Sequence, residues 1–246
     1  MSALSSTFLY WYDFESGSLT TDATGNGNTL TNNNTVTSIS GKVGNAAQFD
    51  DASAQYFSIN DNANFSLGGT DAYWCYWVKL FSKDLLGKTF IAKDEGSSAR
   101  EYFQKYFEGS DRFVFDTWTG ASGAGNVRLT LNNFGSPLIN NWYFLQFWLD
   151  GTNMYGCVNN STVDQVSAPG AGWDGTTEVL FGSLIRIDQW YMDGQMDSFG
   201  FSKTIPSSGD RMWLYNAGAG RNWTDVVNKD ATVARTRLYY DRLIGA

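Results

Sequence analysis

The chain has 246 residues, is 16% aromatic, contains 26 Gly but only 3 Pro, and carries a formal net charge of −8 with no basic cluster. That balance excludes nucleic-acid binding by phosphate neutralisation, and the aromatic content excludes a disordered chain. Histidine is absent, which removes Ser-His-Asp and Cys-His catalysis and most zinc chemistry.

Taken in order, the chain opens with Met-Ser-Ala-Leu-Ser-Ser and runs directly into Phe8, Leu9, Tyr10, Trp11 and Tyr12. With no basic n-region and no cleavage pattern, the expectation is synthesis in a cytoplasm without a signal peptide. No apolar run is long enough to span a bilayer, so membrane insertion is not expected. A first strand is predicted over 7–14, with Phe8, Tyr10, Tyr12 and Phe14 on one face. A loop over 15–28 follows, then a polar strand near 29–38 and a turn at 41–45. Strands are expected at 46–50 and 55–60, with a compact loop at 61–69.

The run 72–81 is almost continuously apolar and predicts a central strand buried on both faces. Further strands are expected at 89–93, 101–108, 112–118, 126–131, 142–149, 153–158, 161–167 and 177–182. Loops fall at 96–100, 120–125 and 169–175. Cys75 and Cys157 each lie in an apolar strand and read as two buried thiols, with a disulfide between facing strands as the alternative. The stretch 193–201 predicts a last core strand with Gln195, Asp197, Phe199 and Phe201 on one face. A carboxylate on that face requires a partner: Asp197 either ties the loop after the first strand to the last strand or holds a cation. Pro206 and Ser207 predict a short helix ended near Gly218. The charged tail begins near Asn222, and 233–244 reads equally as helix or final strand.

Short strands at roughly ten-residue spacing imply two packed antiparallel sheets, in one domain over 1–220 with a C-terminal extension over 221–246 suited to docking. Glycan hydrolysis by this architecture uses paired carboxylates, often as Glu-x-Asp-x-x-Glu. That string is absent; Asp188, Asp193 and Asp197 lack the spacing, and Asp94, Glu95 and Glu101 read as flanks of a solvated hairpin tip. A non-catalytic protein is expected. For binding, Trp118, Trp173, Trp190 and Tyr191 stand beside loops, where exposed rings stack on sugars; packing at the sandwich edge or at a subunit contact is the alternative.

The order of motifs resembles a known family. It runs from Tyr10-Trp11-Tyr12-Asp13-Phe14-Glu15 to Asp22 with Gly25-Asn26-Gly27-Asn28, and then Gly41-Lys42-Val43-Gly44-Asn45 with Phe49 and Asp50. Trp77-Val78-Lys79, Trp142-Tyr143-Phe144, Gly194-Gln195-Met196-Asp197 and Leu214-Tyr215-Asn216-Ala217-Gly218 follow. Residues 7–220 are similar to the laminin-G-like, concanavalin A-like jelly rolls. The resemblance implies an all-β fold: a two-sheet antiparallel jelly-roll β-sandwich with first and last strands adjacent, a short C-terminal helix and a tail.

It also implies a binding role and one structural Ca2+, mapped onto Asp22, Asn26, Asn28 and Asp197; ties from those carboxylates to backbone N–H groups are the alternative. Two functions are expected from it. The first is a structural or adhesion protein at a phage virion surface, in contact with other virion subunits or with itself as an oligomer. The second is a stand-alone carbohydrate-binding module of a bacterial surface system, extracellular or at the cell surface, with cell-surface glycans as partners.

Overall fold

In a computed structural model, residues 3–84, 87–95, 99–120, 124–168, 170, 172–184 and 190–244 are described, with side chains as far as residue 233. The expected loops at 96–100, 120–125 and 169–175 fall partly outside these residues, and Asp188 falls outside them.

Runs of β-branched and aromatic residues separated by Gly and Asn turns fold as strands. They are β1 (Phe8–Tyr12), β2 (Thr31–Asn33), β3 (Thr37–Ser40), β4 (Asn45–Phe49), β5 (Tyr56–Ile59), β6 (Ala72–Leu80), β7 (Lys88–Asp94) and β8 (Arg100–Phe107). The second half adds β9 (Arg112–Trp118), β10 (Asn126–Thr130), β11 (Trp142–Leu149), β12 (Asn153–Val158), β13 (Asp164–Ser167), β14 (Val179–Phe181) and β15 (Gly194–Ser202). Helices α1 (Ser208–Tyr215) and α2 (Trp223–Ile244) close the chain, so the tail that read equally as helix or strand is helix.

The strands form two antiparallel sheets. Sheet A has the order β13-β12-β11-β6-β15-β4-β3, and sheet B the order β10-β9-β8-β7-β14-β5-β2. The first and last strands are adjacent: β15 lies beside β6 along its length, while its other edge is shared by β4 at Gly194–Met196 and β1 at Phe199–Ser202. Two sheets packed face to face around one apolar layer make an all-β sandwich of jelly-roll type.

That layer is aromatic. Tyr76 stacks on Phe199 with ring centroids 4.5 Å apart, Tyr10 on Phe65 at 4.3 Å, and Trp74 lies 4.9 Å from Phe201. Such rings are the largest single contributions to a core, about 1.5–3 kcal/mol each when fully buried. β6 is buried on both faces, as its apolar run predicts. Its even-numbered residues, such as Trp74 and Tyr76, face the sandwich core, while Cys75 and Trp77 face outward beneath the helices.

Two local expectations change. The polar run 29–38 is two strands in different sheets, β2 in B and β3 in A, with Asn34 and Thr35 at left-handed φ of 59° and 66° between them. The alternation in β15 also breaks. Its register against β6 shifts between Asp197 and Gly200, and Ser198 sits at φ 48°. This is a β-bulge, in which one extra residue reverses the faces. Met196, Phe199 and Phe201 therefore all face the core, and Asp197, paired with Trp77, points to the outer side of sheet A. Asp197 does not share a face with Phe199, contrary to the strict alternation. Gly200, next along, is where the Trp11 ring packs onto the strand: a Cβ there would lie 2.4 Å from that ring.

Cys75 and Cys157 are free and buried. Gln146 of β11 pairs with Cys75 on one side and Cys157 on the other. An intervening strand puts them roughly 9–10 Å apart, beyond disulfide reach, and burial pushes the two thiols up to about 12 and about 11 respectively.

The outer face of sheet A is covered. Leu214 of α1 and Val226 of α2 are buried against Phe8, Trp11, Trp77 and Phe144, with Trp213, Tyr215 and Trp223 packed around them. Ser207 caps α1 by accepting from the Asp210 N–H, and Asn222 caps α2 by accepting from Asp225; such caps satisfy N–H groups that the helix leaves free. Asp13 on the first strand's exit accepts from the Trp223 N–H at 3.0 Å, and Asp230 accepts from Leu4 and Ser5, both at 2.7 Å. The first two turns of α2 thus belong to the body of the domain, although the expected boundary stood at 220.

Candidate functional site

With one outer face occupied by helices, the other broad face is the outer side of sheet B, where Ala92, Phe103, Lys105, Asp116 and Trp118 are themselves buried. Strand alternation turns Phe103, Lys105 and Phe107 of β8, Asp116 and Trp118 of β9, Arg128 of β10 and Ala92 of β7 toward it. Phe103, Trp118, Ala92 and Leu184 form a small apolar cluster separate from the main core, with Trp190 packed on its edge. Arg128 meets Asp116 at 2.8 Å and lies over the Phe107 ring at 4.5 Å.

At the end of this face, where β5, β7 and β14 meet, lies a cavity of about 540 Å³ lined by Asn60, Asp94, Glu95, Thr176, Thr177, Glu178 and Leu180. The size suits a ligand of one to a few rings. Leu180 gives it an apolar floor; the other six side chains offer hydroxyl, amide and carboxylate groups. Arg100 stands beside Asp94 at 3.6 Å and over the Trp118 ring at 5.1 Å. Tyr56 lies near Glu178 and beside Tyr191, with ring centroids 6.3 Å apart; burial, then Glu178, then Tyr191 push the Tyr56 hydroxyl above its ordinary range.

The four ring residues expected from the sequence are placed on sheet B around different strands, and none of them lines the cavity. Trp118 is buried on β9, Trp190 lies over Lys105, Tyr191 lies beside Tyr56 of β5, and the Trp173 N–H donates to the Trp118 carbonyl at 3.1 Å. Trp173, Trp190 and Tyr191 are half-buried.

The cavity residues Asn60, Thr176, Thr177 and Glu178 carried no sequence signal. They sit just outside strands that are far apart in sequence and are joined only by the pairing of β5 with β14 and β14 with β7.

The rim is fixed by a buried charge network. Lys93 meets Glu101 at 2.6 Å and Asp61 at 2.8 Å, and donates to Ser66 Oγ and the Gly175 carbonyl. Glu101 also accepts from the backbone N–H groups of Leu67 and Gly175. Burial pushes its carboxyl up to about 7 against the opposing pull of Lys93. This corrects the expectation of a solvated tip: of the three acids, only Glu95 is exposed, while Asp94 and Glu101 are buried. The network ties the 61–67 loop and the 172–175 segment to β7 and β8, holding the walls around the cavity and Trp118.

The residues mapped for calcium lie in separate networks. Asp22 Oδ1 accepts from the Trp11 N–H, the Thr24 N–H and the Thr24 hydroxyl, and Oδ2 accepts from the Asn28 backbone and side-chain N–H groups. Asn26 and Asn28 both turn their amide N–H toward the Leu9 carbonyl at 3.0 Å. Asp197 Oδ2 accepts from the Lys42 and Val43 N–H groups at 2.8 Å each, and Oδ1 accepts from Ser198. A Cβ on Gly41 would lie 2.7 Å from Asp197, so glycine is what lets this turn close on the carboxylate.

The tie from the last strand therefore runs to the 41–45 turn, not to the 22–28 loop. Calcium takes six to eight oxygen ligands. Five donors already aimed at Asp22, and Asn amides presenting N–H, do not fit a shared cage with Asp197. Among the described residues no group of three or more acidic or cysteine side chains is placed to hold a metal ion.

No family model matches this chain, and no curated protein matches it in sequence. In solved structures it is similar to the binding domain of Paraclostridial Mosquitocidal Protein 1, at 13% identity and TM-score 0.70, over 87% of this chain and 53% of that one. It is also similar to the receptor binding domain of the botulinum neurotoxin C/D mosaic serotype, at 14% and 0.67, over 86% and 51%. The chain thus spans about half the length of these domains. A third similarity is to domain 4 of AbnA, a GH43 extracellular arabinanase from Geobacillus stearothermophilus solved with arabinotriose, at 17% and 0.61, over 84% and 97%. At these identities the likeness establishes the jelly-roll fold.

Proposed function

We propose that this protein is a non-catalytic, lectin-like module that binds an oligosaccharide in the cavity at the end of sheet B. The observation that carries the reading is the cavity of about 540 Å³ at the end of sheet B, where β5, β7 and β14 meet. Sugars present apolar C–H faces and many hydroxyls, and a site for them combines ring or aliphatic surfaces with amides and carboxylates. Leu180 supplies the first need; Asn60, Thr176, Thr177 and Glu178 supply the second.

Asp94 stands beside the Arg100 guanidinium at 3.6 Å, an ion pair that holds the carboxylate in place at the cavity wall. The similar structures, named as binding domains or solved with an oligosaccharide, support binding without bond cleavage. A phage-particle module and a free-standing bacterial surface module would use this cavity alike; co-purification with virions separates them.

The test is a glycan array followed by calorimetry on the best binder. Binding in the micromolar to millimolar range, weakened at least tenfold by Glu178→Ala or by Thr177→Trp, is expected. No saturable binding to any glycan, or binding that both substitutions leave intact, would overturn the reading.

A further inference from the structure

On the outer side of sheet A, beside α1, lies a second cavity, of about 320 Å³. Trp148 of β11 and Cys157 of β12, both buried, form its floor, and Val163 and Met212, 41% and 57% exposed, stand at its sides. Burial pushes the Cys157 thiol up to about 11, so the floor is uncharged at neutral pH. An apolar cavity of roughly 150 Å³ holds one benzene ring. The larger volume here has room for a ring or a short chain with a polar end.

Among the lining residues Arg211 alone is charged. Its guanidinium lies 4.3 Å from the centroid of the Trp148 ring, on which Tyr155 stacks at 5.3 Å with 10° between the planes. Nη1 donates to the Pro206 carbonyl at 2.9 Å. Ring and carbonyl hold the guanidinium in place, and its remaining N–H donors are left for a ligand. The carboxylates nearest in the chain and in space are already engaged. Asp210 is held by Ser207 and Lys229, and Asp164 accepts from the Asn133 N–H. A fixed cation beside uncovered apolar side chains is complementary to a carboxylate carried on an apolar group. Sugars are poorly matched, because the other polar side chains of the lining are the Asn160 amide and the Ser208 hydroxyl beside the thiol.

We propose that this cavity binds a small organic acid, an aryl or short-chain alkyl carboxylate. The carboxylate meets Arg211, and the apolar part lies between Val163 and Met212 over Trp148 and Cys157. Filling the cavity covers the two exposed apolar side chains, which supplies the apolar part of the affinity. The charge on Arg211 supplies the selection for an acid over a neutral molecule of the same shape. The site lies on the other sheet from the cavity lined by Glu178 and Leu180, so it stands independently of the glycan reading.

The experiment follows the Met212 methyl resonance in protein labelled at its methionine methyls, assigned with Met212→Leu. The probes are 3-phenylpropionate and hexanoate, each against its neutral counterpart, 3-phenylpropanol or 1-hexanol. The expected result is a saturable shift with one or both acids in the micromolar to millimolar range, with the matching alcohol roughly tenfold weaker. That advantage falls with added salt and is lost in Arg211→Gln. The two acids show whether a ring or a chain is preferred. In Gly209→Phe the added Cβ meets nothing nearer than Ser207 Oγ at 3.8 Å, so the chain folds and the new ring occupies the cavity, abolishing acid binding. Equal binding of acids and alcohols, no saturable shift with any probe, or acid binding that Gly209→Phe leaves intact overturns the site. The wild-type comparison of acid with alcohol decides the role of charge even where Arg211→Gln fails to fold. None of these outcomes touches oligosaccharide binding at sheet B, which the glycan array tests separately.

Discussion

The Lys42 and Val43 N–H groups end on one oxygen of Asp197, beneath a turn that glycine at 41 allows to close. Burial pushes that carboxyl up to about 7, against the pull of those two donors. The ordinary carboxylate value is near 3.9, so between pH ~4 and ~7 the unfolded chain releases this proton first. Stability therefore falls as pH rises through that window, and Glu101, also raised to about 7, adds to the fall. Asp197→Asn keeps an acceptor for the turn and removes that group's share, so the drop in Tm between pH 5 and pH 8 should shrink. Asp197→Ala leaves two backbone donors unmade and should lower stability at pH 7 by about 1–3 kcal/mol. Thermal melts of the three proteins at both pH values check this.

Lys93 offers a second case. Lys93→Met strands Glu101 in the interior and should destabilise by about 3–5 kcal/mol, while Lys93→Met with Glu101→Gln should recover part of it; urea unfolding reads both. At Asp22, five hydrogen bonds fill the carboxylate, so neither chelator nor added calcium should move the melting temperature. A rise of several degrees with calcium would show a bound ion stabilising the folded state.

At the scale of elements, how far the sequence can be read depends on whether the signal is local. The strand 72–80 was legible because apolar residues on both faces need no knowledge of neighbours. The helix after Ser207 was legible from its cap. The bulge at Ser198 was not, since a serine with left-handed φ in mid-strand leaves no Gly or Asn mark, and it moved Asp197 to the opposite face. The division of 29–38 between two sheets was hidden because Asn32, Asn33 and Asn34 stand in a row, so the left-handed break at Asn34 and Thr35 does not stand out. α2 was ambiguous because its place is set by Trp223 and Val226 packing on Phe8 and Trp11, contacts some 210 residues apart in the chain. Removing residues 221–246 should therefore expose that apolar patch and cause aggregation or a lower Tm. Removing only 234–246 should leave the domain folded, as size-exclusion chromatography and melting would show.

Across the whole molecule, helices close the outer face of sheet A, and the cavity lies at the end of sheet B. Trp118, Trp173, Trp190 and Tyr191 could be picked from the sequence as rings beside loops. That Trp118 is buried, and that Asn60 and 176–178 form a cavity none of these rings lines, follows only from strand order in sheet B. The most direct test of that cavity is a backbone amide chemical-shift map of the protein titrated with the tightest oligosaccharide from the array. Binding at the proposed site predicts the largest shifts at Asn60, Asp94, Glu95 and Thr176–Leu180, with α1 and the 41–45 turn unmoved. Shifts confined to the helix-covered face of sheet A, or absent at saturating ligand, would contradict it.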